Sequence, residues 1–560
     1  MNAEARELDR INHVTIVGGG TAGWLTAMFL NTSLNGRSDG PKVRITLIES
    51  PDITTVGVGE ATVPSMPRVL AQMGVSEKQF MRHCNASFKL GVRFVNWHLD
   101  PSGNPLEYIH TFNAPPGIHG INAAHHFHRF VPPEESHKFS DAMVPIGDLI
   151  RFLKGPRLLS DADYGYKVAY AYHLDAGLFA LFLRDLAVVQ GVEHVLDDVE
   201  EVQQGENGFI TALKLKERGL MPVQLVVDCS GFRGLIMDKV LNEPFESYSS
   251  HLLCDSALAA DVPHPDPTRL EPCTRSTALG AGWCWRIPLY SRIGAGYVFS
   301  SRFRSDEEAI EEFRAHLGEA GRDAEPRVIR MRTGRVRRNW VKNCVAIGLS
   351  AGFIEPLEST GIFIIEAAAR WLVQHFPDKA MSPVFADSFN RAMEKLYEEV
   401  RDFIMMHYYS SNRTEPFWVA ARSEVELSET LGQQLELWRH TFPNAMDTKG
   451  TRAFDHWNYL CVLYSKGYFN DVSLPLDGST SESDWKDYVE RLMVSKKGLI
   501  EHLPDHHELL EAVRESADEA EDRHVVPPAI AAAAGAFQST IPLPSWGQET
   551  TPARVATADA

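Results

Sequence analysis

Three glycines near the N-terminus have the spacing of a site that binds a dinucleotide. Gly18, Gly20 and Gly23 follow a short apolar run at residues 13–17 and open an apolar stretch of helical character. In such a turn the first glycine permits a tight bend, the second lets the backbone approach a pyrophosphate, and the third lets helix pack on strand. The positive end of the helix then faces the phosphates.

An acidic residue at the end of the next predicted strand completes this pattern. The β-branched run at residues 43–48 ends on Glu49, and an acid there can hydrogen-bond a ribose hydroxyl. Strand, glycine turn, helix and strand make a βαβ unit, which indicates an α/β fold with a Rossmann-like domain. Thr21 and Ala22, within the turn, belong to the same predicted site. A tight structural turn is the alternative explanation of the glycines, and Glu49 favours dinucleotide binding.

Two later segments point to FAD rather than NAD. Residues 225–231 (LVVDCSG) and 345–352 (VAIGLSAG) are apolar runs that break into small residues. Both resemble the later flavin-contacting segments of the aromatic monooxygenase fold, and two ordinary strand-to-turn junctions are the alternative. The further positions that this resemblance assigns to an FAD site are Val199, Asp228, Leu349 and Ile362.

Four short segments together resemble the flavin-dependent halogenases, and the tryptophan halogenases most of all. Residues 282–288 (GWCWRIP) match the GWxWxIP element of that family. Residues 85–91 (NASFKLG) look like the segment around its catalytic lysine, and residues 355–362 (EPLESTGI) look like its glutamate and halide segment. Residues 56–64 (VGVGEATVP) add a fourth match. The resemblance spans about residue 11 to about residue 470 and implies an FAD-binding domain of the flavin monooxygenase type.

The resemblance also implies a reaction and a role for each residue in it. In that family reduced FAD and oxygen convert chloride into hypochlorous acid, which travels through a tunnel to the substrate. Lys89 would hold the hypohalous acid and deliver the halogen, and it should be buried with a lowered pKa. Glu358 would stabilise the cationic ring intermediate or take its proton. The backbone amides of Thr360 and Gly361 would bind the halide, chloride or bromide, beside the flavin.

Two tryptophans of the GWxWxIP element are expected to separate the flavin from the substrate. Trp283 and Trp285 are two residues apart, so on a strand both rings lie on one face. The resemblance assigns them, with Ser359, to the tunnel and to shielding of the flavin; core packing is the alternative, for Trp285 above all. Ser359 and Thr360 are also candidates to cap the helix that begins near Ile362.

The substrate is the least determined part of the site. His110 and Phe112 fall where tryptophan halogenases place a histidine and a stacking phenylalanine beside the indole. Phe454 falls near their stacking tryptophan, but Lys449 falls near a glutamate that clamps free tryptophan. Because a desolvated charge needs a partner, this difference argues against free tryptophan. A Trp residue in a peptide, such as a lanthipeptide precursor, or another large indole or phenol is the alternative substrate.

Composition excludes several classes of function. The 560 residues carry a net charge of −19, which argues against a nucleic-acid partner. The seven cysteines form no CxxC pair and predict reduced thiols in a cytoplasmic protein. No signal peptide or membrane-spanning run is apparent. The cluster HHFH at residues 125–128 lacks a second ligand set, and we expect no metal.

The chain is expected to divide into three parts. Residues 1–364 would form the FAD-binding and catalytic domain, with inserted substrate-facing segments at about 65–170. Residues 365–524 would form a mainly helical substrate-binding module, and residues 525–560 a flexible tail rich in Ala and Pro.

Within the first domain the pattern predicts one helix and a meander. Residues 170–190 have helical periodicity. Residues 195–202, 210–216 and 223–228 alternate as strands and predict an antiparallel meander that returns to the main sheet at Asp228.

Two other functions fit the same fold. A flavin-dependent aromatic hydroxylase would consume NAD(P)H by itself, and an FAD-binding redox sensor would need neither Lys89 nor Glu358. The sequence has no second nicotinamide fingerprint, so a halogenase would need a separate NADH-dependent flavin reductase as partner. A homodimer is a further expectation.

Overall fold

The computed structural model describes residues 10–36, 42–53, 59–448, 450 and 453–521. The expected tail, Lys449 and part of the segment 56–64 therefore lie outside the described residues. The α-helices of the described residues are α1 Thr21–Asn35, α2 Ser65–Gln72, α3 Glu77–His83, α4 Ala123–Phe130, α5 Phe139–Met143, α6 Ile146–Arg151, α7 Ala176–Val189, α8 Asp306–Leu317, α9 Gly361–Gln374, α10 Pro383–Tyr409, α11 Pro416–Ser423, α12 Glu429–Leu437, α13 His456–Ser465, α14 Glu482–His502 and α15 His506–Glu521.

The strands of the described residues are β1 His13–Val17, β2 Arg44–Glu49, β3 Gly59–Ala61, β4 Ser87–Lys89, β5 Gly91–Leu99, β6 Pro105–Thr111, β7 Ala171–Asp175, β8 Glu193–Leu196, β9 Val199–Gln204, β10 Ile210–Leu215, β11 Gly219–Pro222, β12 Leu225–Asp228, β13 Phe245–Ser247, β14 Ser256–Val262, β15 Thr274–Leu279, β16 Gly282–Pro288, β17 Ile293–Phe299, β18 Arg327–Arg330, β19 Gly334–Val336, β20 Trp340–Val341, β21 Cys344–Ala346 and β22 Gly352–Phe353. Short 3-10 helices cover Pro133–Lys138, Gly231–Arg233, Gly318–Gly321, Gly348–Ser350 and Pro475–Ser479.

A six-stranded sheet carries the glycine turn. Its strand order is β20-β21-β12-β1-β2-β8, and every neighbouring pair is parallel except β20 and β21. All five residues of β1 are buried, as expected of a central strand covered on both faces. Helices α1 and α7 pack against each other beside this sheet. The α/β fold with a Rossmann-like domain is confirmed.

Two other sheets bring the catalytic segments together. A seven-stranded sheet of order β18-β14-β17-β16-β15-β5-β6 pairs its strands antiparallel except between β15 and β5. A small sheet of order β3-β7-β4 holds the strand that ends at Lys89, directly before β5 begins. The small sheet thereby holds Lys89 directly before β5, which pairs with β6.

The sequence prediction was wrong at two local boundaries. The helix expected from residue 170 begins only at Ala176, because Ala171–Asp175 forms β7 and pairs with β3 and β4. Asp175 then caps the helix by accepting a hydrogen bond from the Leu178 amide at 3.0 Å. The run 195–202 is two strands, because Asp197 turns the chain and accepts backbone amides on its carboxylate. An antiparallel meander is present as β9-β10-β11, but its third strand is the unpredicted β11. The predicted third strand is instead β12, which pairs in parallel with β1 and β21 in the six-stranded sheet.

The helical half of the chain continues the same core. The expected boundary after residue 364 lies inside α9, and one hydrophobic cluster includes buried residues from β1 through α15. All seven cysteines are buried and unpaired. No helix among the described residues is both long and apolar enough to cross a membrane.

One glycine of the seven-stranded sheet makes room for a predicted shielding residue. Gly296 lies opposite Trp285, and a Cβ there would stand 2.0 Å from the indole ring. We expect Gly296→Ala to lower the free energy of unfolding by about 1–3 kcal/mol, because the ring would have to leave its position. Urea unfolding measures this. Gly432→Ala, in α12 with open space around the added carbon, is the control and should be neutral or stabilising; equal behaviour of the two variants would contradict the packing.

Candidate active site

The glycine turn has the shape of a phosphate cradle. Gly18 has a φ of +118°, and a Cβ there would lie 2.2 Å from the Cys229 carbonyl oxygen. A Cβ on Gly23 would lie 1.9 Å from the Gly18 carbonyl, whereas one on Gly20 would meet nothing within 4 Å. Gly20 is the N-cap of α1 and offers no side chain to its first amides. The close backbone contacts at Gly18 and Gly23, together with the open space at Gly20, fit the approach of a dinucleotide phosphate.

The other residues assigned to the cofactor take more varied positions. Glu49 Oε2 lies 2.9 Å from His194 Nε2 at the end of β2. The Thr21 hydroxyl donates to the Ala176 carbonyl at 3.1 Å and ties α1 to α7. The Asp228 carboxylate accepts hydrogen bonds from backbone amides that include those of Ile236 and Met237, so it shapes the turn after β12.

Three further assigned residues surround the same region of the sheet. Leu349 is 43% exposed on the 3-10 helix Gly348–Ser350 and offers an apolar surface. Ile362 is buried in the first turn of α9, and Val199 is partly buried at the start of β9. The backbone at the glycine turn therefore fits the phosphate end of FAD, and Leu349 suits an apolar face of it.

Lys89 is fully buried at the end of β4. Its Nζ donates to the Thr62 carbonyl at 2.9 Å and to Ser359 Oγ at 2.8 Å, and it lies 5.5 Å from the centre of the Phe112 ring. Burial lowers the pKa of this amine to about 7, although the charge of Glu358 opposes the shift. The expected burial and lowered pKa are confirmed.

Glu358 is held between two histidines. Its Oε2 lies 2.9 Å from His110 Nδ1, and its Oε1 lies 2.7 Å from His407 Nε2. Burial alone would raise the pKa of this carboxyl, but the interactions with His110 and His407 outweigh it and bring the pKa to about 2. The buried glutamate is therefore ionised at neutral pH.

His407 was missed in the sequence. It lies in α10 between apolar neighbours and is fully buried, with a pKa lowered to about 4 mainly by burial. A histidine inside an apolar helix stretch looks the same in a sequence whether it packs in a core or contacts a catalytic group. Only the fold brings it to Glu358.

The loop between Glu358 and α9 is shaped for Lys89 rather than for capping. Ser359 has a φ of +60°, which is uncommon for a residue with a side chain, and its hydroxyl accepts the Lys89 hydrogen bond. Thr360 is the N-cap of α9, but its side chain makes no capping hydrogen bond, so the expected capping was wrong. A Cβ on Gly361 would meet nothing within 4 Å. The amides of Thr360 and Gly361 therefore begin a helix beside open space, as the assignment to halide requires.

The two tryptophans of β16 share one face, as predicted. Their ring centroids are 6.1 Å apart, and both rings are buried. Trp283 Nε1 donates to Glu355 Oε1 at 2.9 Å, and the Tyr408 hydroxyl donates to the same oxygen at 2.6 Å. Burial raises the pKa of Glu355 to about 7. Trp283 is therefore fixed by a hydrogen bond as well as by packing, while shielding of the flavin stays a prediction.

The residues expected at the substrate meet around Glu358. His110, on β6, contacts Glu358 directly, and its Nε2 lies 2.8 Å from Asn458 Nδ2 on α13. Phe454 stacks on Phe403 with a centroid distance of 3.8 Å and a plane angle of 13°. Phe112 lies on the Lys89 side. His110 and Phe454 thus both contact Phe403, and Phe112 contacts Lys89. Sequence reasoning gave Asn458 no role of its own.

The histidine cluster after residue 124 has a structural partner. His125 Nδ1 and His128 Nδ1 each lie 2.7 Å from a different oxygen of Asp477. This shared carboxylate ties α4 to the 3-10 helix Pro475–Ser479. In the described part of the chain no three His, Cys, Asp or Glu side chains are grouped to hold a metal ion.

Comparison with known proteins gives one consistent answer. The family model described as tryptophan halogenase matches residues 13–482. Tryptophan 6-halogenase ThaL of Streptomyces albogriseolus is 38% identical over 90% of this chain and 98% of its own length. Among solved structures, Tar14, a tryptophan C-6 flavin-dependent halogenase from taromycin biosynthesis, superposes with a TM-score of 0.83 at 35% identity, covering 90% of this chain and 100% of its own.

A solved halogenase of another substrate class is also similar. MibH, described as a lanthipeptide tryptophan 5-halogenase, superposes with a TM-score of 0.75 at 27% identity. The match covers 92% of this chain and 95% of MibH.

The cradle makes a prediction about cofactor affinity. Gly20→Ala should leave the free energy of unfolding unchanged, because the added carbon meets no protein atom within 4 Å. It should weaken FAD binding by roughly tenfold or more, since a displaced phosphate loses charge-assisted hydrogen bonds. Fluorescence titration measures the FAD Kd, with Gly432→Ala as control. Unchanged FAD affinity in Gly20→Ala would contradict the cradle.

The burial of Lys89 makes a prediction about pH. Between about pH 7 and 10.5 the unfolded chain holds a proton on this amine that the folded protein has lost, so wild-type stability should rise with pH in that window. In Lys89→Met this rise in stability with pH disappears. The variant should have a higher free energy of unfolding than wild type near pH 7, and this difference should shrink toward pH 10. Urea unfolding at pH 6, 7.5 and 9 measures it. The control Lys497→Met, at a side chain 77% exposed, should track wild type; a Lys89→Met difference that does not change with pH would contradict the lowered pKa.

Proposed function

The chain belongs to the tryptophan halogenase family and is a flavin-dependent halogenase, and we propose that it uses FADH2, oxygen and chloride or bromide to halogenate an indole ring. One observation carries the proposal: a buried amine lies at the loop that holds a buried, ionised carboxylate. Lys89 is bonded to Ser359, and the adjacent Glu358 is held by His110. Bound FADH2 would supply, with oxygen, the oxidising chemistry that converts a halide ion and a proton into hypohalous acid and water.

In this proposal the residues of the chain divide the remaining work. The amides of Thr360 and Gly361 hold the halide at the start of α9. Lys89, with a pKa near 7, hydrogen-bonds the hypohalous acid through its ammonium form. As the halogen bonds to a ring carbon and its bond to oxygen breaks, this ammonium gives a proton to the leaving hydroxide, which departs as water. Glu358 stabilises the resulting ring cation and accepts its proton, which restores aromaticity. The net change replaces a ring hydrogen with a halogen and forms water.

Two buried tryptophans would separate the flavin from the substrate. Trp283 and Trp285 form a buried aromatic wall on β16, fixed through Glu355. Such a wall would keep the substrate from the flavin, which disfavours direct hydroxylation. The redox-sensor alternative gives no reason for two buried, unlike charges beside an aromatic pocket.

For the substrate we propose a Trp residue within a peptide. A free amino acid would bring an ammonium and a carboxylate that both need partners. Beside Phe454, the Glu399 carboxylate accepts the amides of Ala453 and Phe454, and the Asp455 carboxylate caps α13. These acids already accept hydrogen bonds from backbone amides, and MibH, described as a lanthipeptide tryptophan 5-halogenase, shares this fold.

The proposal includes a flavin reductase and a second copy of the chain as partners. Reduced flavin must come from elsewhere, so a separate NADH-dependent flavin reductase supplies FADH2 by diffusion. A homodimer in the cytoplasm remains part of the proposal.

The reaction class is tested by mass spectrometry. The protein is incubated with FAD, a flavin reductase, NADH, oxygen, and chloride or bromide, with indole substrates. We expect a halogen isotope pattern in the product and a loss of roughly 10²–10⁴-fold in Lys89→Ala and Glu358→Gln. Lys497→Ala is the exposed control. A product that gains only oxygen, or a Lys89→Ala variant as active as wild type, would overturn the halogenase proposal.

The substrate is tested in the same assay with matched molecules. Free tryptophan, the same residue blocked at both ends, and Trp-containing peptides are compared by kcat/KM. We expect the peptides and the blocked residue to be preferred, because neither presents a zwitterion. A strong preference for free tryptophan would exclude the peptide proposal while leaving the reaction class intact.

A further inference from the structure

A chain of hydrogen bonds leads from a backbone amide in the substrate module to the catalytic glutamate. The Asp455 backbone N–H donates to Asn458 Oδ1 at 2.7 Å, and Asn458 Nδ2 lies 2.8 Å from His110 Nε2. His110 Nδ1 in turn lies 2.9 Å from Glu358 Oε2. Asn458 is 8% exposed and the His110 and Glu358 side chains are buried, so water is largely excluded from this chain.

The direction of every hydrogen bond in this chain follows from its first member. A backbone N–H can only donate, so the oxygen of the Asn458 amide must face Asp455. The amide nitrogen then faces His110 and donates, which requires a bare lone pair on Nε2. In a neutral imidazole the proton is therefore on Nδ1 and is donated to Glu358 Oε2.

The two oxygens of Glu358 consequently have different neighbours. Oε2 accepts the hydrogen bond of His110 Nδ1–H. Oε1 lies 2.7 Å from His407 Nε2, and both histidines lower the pKa of the carboxyl. If Nδ1 carried a lone pair instead of the proton, it would face the carboxylate and repel it, so the tautomer of His110 decides whether Oε2 is stabilised.

We propose that Asn458 is a positioning residue, which fixes the tautomer of His110 and thereby keeps Glu358 an acceptor that is stabilised as the carboxylate. The inference rests on the proposed function for the role of Glu358. It also links the reaction to the substrate module, because Asp455 and Asn458 form the capping box of α13, next to Phe454.

Asn458→Asp separates positioning from structure. Aspartate keeps the size of asparagine and can still accept the Asp455 amide, but it cannot donate to His110. The proton of a neutral His110 should therefore move to Nε2 and leave a lone pair on Nδ1 facing Glu358. If Asn458 served only the capping box, this variant would behave like wild type.

The direct readout is the tautomer itself. In 15N NMR of the full-length FAD-loaded protein, with the His110 signals assigned from a His110→Gln sample, we expect Nδ1 protonated and Nε2 bare in wild type. We expect Nε2 protonated in Asn458→Asp, and no fixed tautomer in Asn458→Ala, which is the second variant if aspartate prevents folding. A wild-type His110 protonated on Nε2, or an unchanged tautomer in both variants, would overturn the inference.

The kinetic readout is a split between kcat and KM. We expect kcat of Asn458→Asp to fall roughly tenfold or more, with the substrate KM and FAD Kd within about twofold of wild type. Asn122→Asp, at the N-cap of α4, adds the same charge outside the site and should match wild type.

These outcomes separate the inference from the proposed function. If wild type yields no halogenated product, the proposed function fails, and the NMR result still decides the tautomer. If wild type halogenates and Asn458→Asp has the same kcat, only the positioning role fails.

Discussion

An amine buried away from water, with no carboxylate bonded to it, has to be held by neutral acceptors, and this constraint organises the site. Lys89 Nζ has two such acceptors, the Thr62 carbonyl and the Ser359 hydroxyl. The first is supplied next to β3 by the small three-stranded sheet, since Thr62 bonds to Tyr172 on β7. The second requires the left-handed backbone of Ser359. Both the small sheet and the loop before α9 are therefore needed to bury one amine.

Separate partners keep the two catalytic charges distinct. The charge of Glu358 raises the pKa of Lys89 against the effect of burial, yet the two side chains hydrogen-bond different groups. Burial drives the pKa of the amine down to about 7, while the histidines keep the carboxyl ionised. One site thereby holds a hydrogen-bond donor for a small oxidant and a base for the ring proton, in surroundings where both interactions are strong.

The parts of the site that the sequence revealed are those with local signatures. The glycine turn, Glu49, Lys89 and Glu358 stand in short motifs whose spacing carries the chemistry. His407 and Asn458 stand on helices α10 and α13, far from those motifs, and only tertiary packing brings them to Glu358. Strand β7 escaped prediction for the same reason, because its pairing with β3 and β4 overrides a helical pattern.

The proposed reaction depends most on where the halide binds relative to Lys89. The direct measurement is a crystal structure of the FAD complex grown in bromide, with anomalous scattering used to locate the ion. We predict a bromide peak at the backbone amides of Thr360 and Gly361, with the Lys89–Ser359 hydrogen bond between that peak and Glu358. Bromide bound elsewhere in the protein, with these two amides bare, would contradict the account.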